Sequence, residues 1–168
     1  MAVTPRVELG DAALVKNWYI DIDSGYPDGA VTWIPISGVM SFKADTPATF
    51  KDASTFDDGG WASQQKTGGS WKVELTVKRA PQAAALASWD AGQELLRVAG
   101  SSFGSENRQH VRWYEVNNAD EPLGEAWEGV AAVSWTEDKS AVDDIRSVKV
   151  ELMGQGARTA VSPHPNSV

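Results

Sequence analysis

Cysteine is absent from this 168-residue chain, which removes disulfides, thiolate nucleophiles and cysteine-bound zinc or iron from the chemistry open to it. Histidine is nearly absent as well, with only His110 and His164, and the sequence contains no phosphate loop, no G-x-G-x-x-G and no histidine pair at helical spacing. No run of eighteen apolar residues occurs, so no membrane-crossing helix is expected. The opening Met1-Ala2-Val3-Thr4-Pro5-Arg6 lacks the charged-then-apolar pattern of a secretion signal, and synthesis in the cytoplasm is the expectation. Basic residues are in deficit: 15 Lys and Arg stand against 23 Asp and Glu, a net charge of −8. Nucleic-acid affinity rests on lysine and arginine neutralising phosphates, so this balance argues against a nucleic-acid binder. Plain solubility is the simplest use of such a charge.

What is present reads as β structure. Residues 70–79 alternate cleanly, with Trp71, Val73, Leu75 and Val77 pointing one way and Lys72, Glu74, Thr76 and Lys78 the other, as a half-buried antiparallel strand requires. Residues 16–22, 31–36, 38–43, 110–116, 127–136 and 145–153 are further strands by composition and patterning. Pro35 cannot donate to a ladder, which marks its strand as an edge or a bulge. Pro81 followed by the alanine-rich run to Ala91, closed by Gly92, predicts one short amphipathic helix over residues 81–91. Residues 94–99 are then expected as a strand, because a helix continued through Gly92 costs about 1 kcal/mol. Residues 44–69 show neither period and predict a long polar loop, of the kind that persists in a compact domain when it binds something or is disordered. Residues 1–15 are expected as an N-terminal arm and 154–168 as a flexible C-terminal tail. The fold class expected for 16–153 is one mainly β domain, a β-sandwich or partly closed barrel with a flanking helix and a long inter-strand loop.

Few groups offer chemistry. Gly100-Ser101-Ser102-Phe103-Gly104 fits the letters of the nucleophile elbow but lacks the strand before, the helix after and the acid and histidine downstream, so a hairpin turn is the better reading of Ser102. Asp21-Ile22-Asp23-Ser24-Gly25 resembles a calcium loop only faintly, with no closing glutamate, and Asp57-Asp58-Gly59-Gly60 has no further ligands spaced for a cation. No catalytic residue, metal or cofactor is expected. Of eight tryptophans, Trp71, Trp113 and Trp135 lie in apolar strands and are expected in the core. Trp61, in the polar loop, has no strand to pack in; it either tucks onto its own sheet or anchors a protein interface.

Three segments in order carry a resemblance: Trp33-Ile34-Pro35-Ile36-Ser37-Gly38, then Thr55-Phe56-Asp57-Asp58-Gly59-Gly60-Trp61, then Ser70-Trp71-Lys72-Val73-Glu74-Leu75-Thr76-Val77. With the ending Val148-Lys149-Val150-Glu151-Leu152-Met153-Gly154-Gln155-Gly156, the chain resembles the major tail tube proteins of long-tailed (siphovirus-type) bacteriophages from Trp18 to Gly156. The resemblance implies a structural virion protein, assembled in the host cytoplasm, whose copies form sixfold rings stacked into a tube for DNA ejection. It also implies tape measure, tail terminator and tail-tip proteins as partners. On that reading Phe50, Phe56, Asp57, Asp58 and Trp61 in the loop form a subunit interface, and Glu74 and Glu151 are candidate lumen residues that keep DNA from adhering. The competing reading is a tryptophan-rich β-sandwich that binds carbohydrate.

Overall fold

The strand expected at 70–79 forms as β6 (Lys72–Lys78), with Val73, Leu75 and Val77 buried, and it sets the frame for the rest. The computed structural model of the chain describes residues 12, 14–138 and 141–165, so most of the expected N-terminal arm lies outside the described residues. In chain order the other strands are β1 (Trp18–Asp23), β2 (Trp33–Pro35), β3 (Val39–Asp45), β4 (Ala48–Asp52), β5 (Gln64–Gly69), β7 (Pro81–Gln82), β8 (Ala85–Trp89), β9 (Arg108–Val116), β10 (Pro122–Glu137), β11 (Ser147–Gly154) and β12 (Thr159–Ala160). A helix, α1 (Ala91–Gly100), separates β8 from β9. The main sheet is antiparallel throughout and runs β2-β1-β9-β10-β11-β6-β3, with β12 added to β10 beyond the end of β11.

The two edge strands of this sheet, β2 and β3, are neighbours in sequence. From Pro35 to Val39 the chain can span at most about 14 Å, so the sheet must roll until its edges approach one another. They do not pair; instead Trp18 of β1 stacks on Phe42 of β3, ring centroids 5.3 Å apart and planes 16° off parallel, and closes the gap with apolar surface. The result is the partly closed, sandwich-like β fold expected, and β2 is an edge as Pro35 implies. The interior holds Ile20, Ile22, Leu75, Val111, Val133, Val150 and Leu152 around the indoles of Trp71 and Trp113, whose centroids are 5.0 Å apart. Trp135 packs against this cluster from a partly buried position.

The helix falls ten residues later than expected. Residues 81–89 are a small, fully exposed β7–β8 hairpin, in which Pro81 pairs with Trp89, and α1 covers the stretch expected as a strand at 94–99. The start signal is Asp90, whose carboxylate accepts a hydrogen bond from the Gln93 N–H at 3.0 Å. Gly92 is not a stop but a contact: a Cβ there would sit 2.6 Å from the Pro35 carbonyl oxygen, and one on Gly100 would sit 2.6 Å from the Cβ of Trp135. Glycine lets the helix lie directly on the sheet, and the burial of Leu96 and Ala99 that follows offsets the propensity cost. Gln93, almost fully buried, donates to the carbonyls of Ser37 (2.8 Å) and Lys78 (3.0 Å), tying the helix to the β2–β3 connection and to the end of β6.

Two further expectations change. Residues 44–69 are not an irregular loop but mainly the β4–β5 hairpin, paired from Ala48 opposite Gly69 to Asp52 opposite Gln64 with a bulge between Thr49 and Phe50. The segment expected as a flexible tail instead lies back on the sheet over its described part, through β12 and through hydrogen bonds from Gln155 N–H to Val130, from Val161 N–H to Ala126 and from the Trp71 indole to Gly156. The last three residues lie outside the described part.

Candidate assembly surfaces

The β4–β5 hairpin stands off the body as an arm. Every residue of β4 and all but one of β5 are exposed, and the two strands pair only with each other. Its tip is built by local hydrogen bonds. The Thr55 N–H donates to the Asp58 carboxylate (2.6 Å), the Trp61 N–H donates to the Asp58 carbonyl (3.1 Å), and Gly59 and Gly60 supply the positive φ values, +61° and +88°, that bring the chain round. Further back, Asp52 accepts from the Ser54 hydroxyl and N–H, which hold its carboxyl below the usual range. None of these bonds shelters an aromatic ring: Phe56 is wholly exposed, Trp61 is 83% exposed and Phe50 is 56% exposed. Trp61 is thus not tucked onto its own sheet. Of the two adjacent acids, Asp58 shapes the turn and Asp57 makes no ion pair or side-chain hydrogen bond among the described residues.

Glu74 and Glu151 project from the outward face of the sheet, directly opposite one another across the β6–β11 ladder. Lysines surround them: Lys72 lies 2.7 Å from Glu74, Lys149 lies 3.4 Å from Glu151, and Lys43 stands opposite Glu74 on β3. The hydrogen bond from Lys72, helped by the charges of Lys72, Lys43 and Lys149, holds the Glu74 carboxyl below its ordinary value against the opposing effect of burial. Across β3, β6 and β11 the alternating outward positions carry Lys43, Lys72, Lys78 and Lys149 against Asp45, Glu74 and Glu151, a lattice of both signs.

A network that sequence reasoning missed occupies the outer side of β1 and β9. The Asp21 carboxylate accepts from Arg112 at 2.8 Å, and Asp23 accepts from the N–H groups of Gly25 and Thr32, each at 2.9 Å, while its second oxygen lies 3.1 Å from Nδ1 of His110. Burial pushes the Asp23 carboxyl up, but the Thr32 and Gly25 N–H groups and His110 outweigh it and leave it below its ordinary value. The faint calcium-loop pattern is therefore a pinned turn. Alternating acids in β1 opposite a histidine and an arginine in β9 were the available signal, but it acquires meaning only once the register is known. Ser102 follows α1, and its hydroxyl donates to the Val98 carbonyl at 2.8 Å.

No protein-family model matches the chain, and no curated protein does. Solved structures do. A chain in the tail of an empty gene transfer agent particle with C6 symmetry superposes with a TM-score of 0.61 at 12% identity, over 90% of this chain and all of that one. A chain of the native gene transfer agent virion gives the same score at 11% identity and the same coverage. A chain in the sheath/tube terminator structure of an extracellular contractile injection system gives 0.57 at 12% identity, over 92% of this chain and all of that one. The fold is thus one found in phage-like tail assemblies, in agreement with the tail tube resemblance of the sequence.

Proposed function

We propose that this chain is the subunit of a tail tube in a long-tailed, phage-type particle. Copies close into rings, six to a ring, and rings stack head to tail into a tube whose bore conducts DNA into a host. The observation that carries the reading is the arm: an ordered hairpin with Phe50, Phe56 and Trp61 uncovered, on a body whose fold recurs in tails. Large apolar side chains held in water on a rigid support are characteristic of a protein interface. A head-to-tail contact of that kind closes into rings or extends into filaments according to its rotation. The tape measure, terminator and tip proteins of such tails are the partners this role requires, the virion tail is its place, and the host cytoplasm is where it assembles.

On the same reading the outward face of β3, β6 and β11 with Glu74 and Glu151 lines the bore. Its mixed lattice of charge supports a surface that lets a polyanion pass rather than one that repels it strongly, because Lys43, Lys72 and Lys149 are each matched to a neighbouring carboxylate. Replacing Glu74 and Glu151 with lysine should slow genome ejection; unchanged ejection would remove these residues from the bore. The assembly itself is tested by negative-stain electron microscopy of the concentrated protein with and without residues 44–69. Rings or tubes from the full chain that vanish on deletion are expected, and a monodisperse monomer under every condition would overturn the proposal.

A further inference from the structure

A cleft at the base of the arm complements the arm tip in charge and apolar lining. Where β5 leads into β6, the chain and the segment after β11 enclose a cleft of about 560 Å³. Pro47, Gly154 and Ala157 line it, with the mostly buried Trp71 indole among them, and Lys66 and Arg158 flank it. Both cations lack a carboxylate partner among the described residues: Lys66 is exposed without an ion pair, and the Arg158 guanidinium lies 3.7 Å from the centroid of the Trp127 ring. Glu125, in the adjoining hollow, instead accepts from the Trp127 indole at 3.4 Å.

The tip presents the complementary set. It carries Asp57 as an uncommitted carboxylate between two exposed aromatic rings, Phe56 and Trp61. Its own cleft is out of reach. The β4–β5 ladder runs from base to tip with one bulge at Thr49 and Phe50, and five extended residues hold the two about 17 Å apart. Folding the tip back would break that ladder. The occupant must come from another molecule, and the tip of a second copy brings the aromatic filling and the negative charge together.

We propose that the arm tip of one copy docks in the arm-base cleft of its neighbour, with Asp57 paired to Lys66 and Arg158 and the ring of Phe56 or Trp61 over the apolar wall. This rests on the tail tube reading and adds to it the receptor and the polarity of the contact: each arm lies across the next subunit's arm base, so the contact is heterologous and repeats around a ring. Desolvated complementary charge would fix register and exclude a reversed orientation.

The absence of native cysteine makes a direct test available. The double variant Asp57→Cys with Ala157→Cys should form intermolecular disulfides on mild oxidation of the assembled protein, giving a ladder of covalent oligomers on non-reducing gels. In parallel, Asp57→Lys and the pair Lys66→Glu with Arg158→Glu should each raise the critical concentration for assembly at least tenfold, and their combination should restore it. Circular dichroism of each variant monomer verifies that the fold is kept. Normal tubes whose cysteines stay unlinked, or charge reversals that leave the critical concentration unchanged, would overturn the docking while leaving the tail tube reading intact. Failure of the unsubstituted chain to assemble at any concentration would overturn both. Binding of inorganic phosphate or short DNA by Lys66 and Arg158, with assembly indifferent to their reversal, would replace the proposed contact with an anion site.

Discussion

Glu74 and Glu151 face each other directly across β6 and β11, two like charges in the position where sheet neighbours interact most strongly. The pair is tolerated because Lys72 bonds Glu74 at 2.7 Å and Lys149 approaches Glu151 at 3.4 Å. Lys72→Gln removes half of that compensation. Glu74 has its carboxyl lowered in the folded chain, so its contribution is present above the unfolded carboxylate range, and it is lost as pH falls through the folded value. The variant should therefore be less stable than the parent at pH 7, and the gap should narrow toward pH 3 as the Glu74 carboxylate takes up its proton. Chemical denaturation at the two pH values checks this, and side-chain NMR should show Glu74 titrating at higher pH in the variant.

Asp23 makes a second, independent pH argument. Three donors converge on it: the N–H groups of Gly25 and Thr32 at 2.9 Å and His110 at 3.1 Å, with Glu128 3.9 Å from the other ring nitrogen of that histidine. Asp23→Ala strands all three donors at a site with little water, which should cost about 2–4 kcal/mol at neutral pH. The folded carboxyl lies below its ordinary value of about 3.9, so the stability it provides is complete above that value and lost as pH falls through the folded one. The gap between parent and variant should hold from pH 7 to 5 and narrow below about pH 4. A gap that persists unchanged at pH 2.5 would mean that Asp23 contributes packing rather than charge.

Gly92→Ala should destabilise the chain, although it raises helix propensity. In a free helix the change gains about 1 kcal/mol, but here the added Cβ meets the Pro35 backbone carbonyl at 2.6 Å and the Cα of Ile36 at 3.1 Å. Neither atom belongs to a flexible side chain, so the helix must lift from the sheet, at a cost of about 1–3 kcal/mol. Thermal melting decides the sign.

The same glycine shows where sequence reasoning stops. β6 was legible because its period records burial on one face, and β2 was legible as an edge because Pro35 lacks a donor. The helix was misplaced because the reason for Gly92 lies in Pro35, 57 positions away in sequence, and the alanine-rich run before it forms a hairpin with no buried face to set a period. The arm strands were invisible for a related reason: alternation arises from burying one face, and β4 and β5 bury neither. Phe56 and Trp61 were nonetheless identifiable as candidates, since aromatic residues in a polar stretch stand out without any knowledge of pairing, and Asp57 came in with them through the tail tube resemblance. The Asp23–His110 and Trp71–Gly156 contacts were not, because they depend on register and on where the segment after β11 returns.

The exposure of the arm separates folding from assembly in a way that can be measured. Phe56 buries nothing and Trp61 little in the single chain, so Phe56→Ser and Trp61→Ser should change its unfolding free energy by less than about 0.5 kcal/mol. The same substitutions should abolish or strongly weaken self-association, because at an interface each ring would remove apolar area from water worth about 1.5–3 kcal/mol, repeated at every copy. Fluorescence gives an internal control: the difference spectrum between the parent and Trp61→Phe isolates the arm tryptophan, which should emit as a water-exposed indole in dilute monomer and shift to the blue as concentration drives assembly. If Trp61→Ser instead lowers monomer stability by several kcal/mol, its ring is packed within the chain and the arm is a structural element. If the blue shift is absent in tubes that nevertheless form, the subunits are joined through the sheet edges and not through the arm tip.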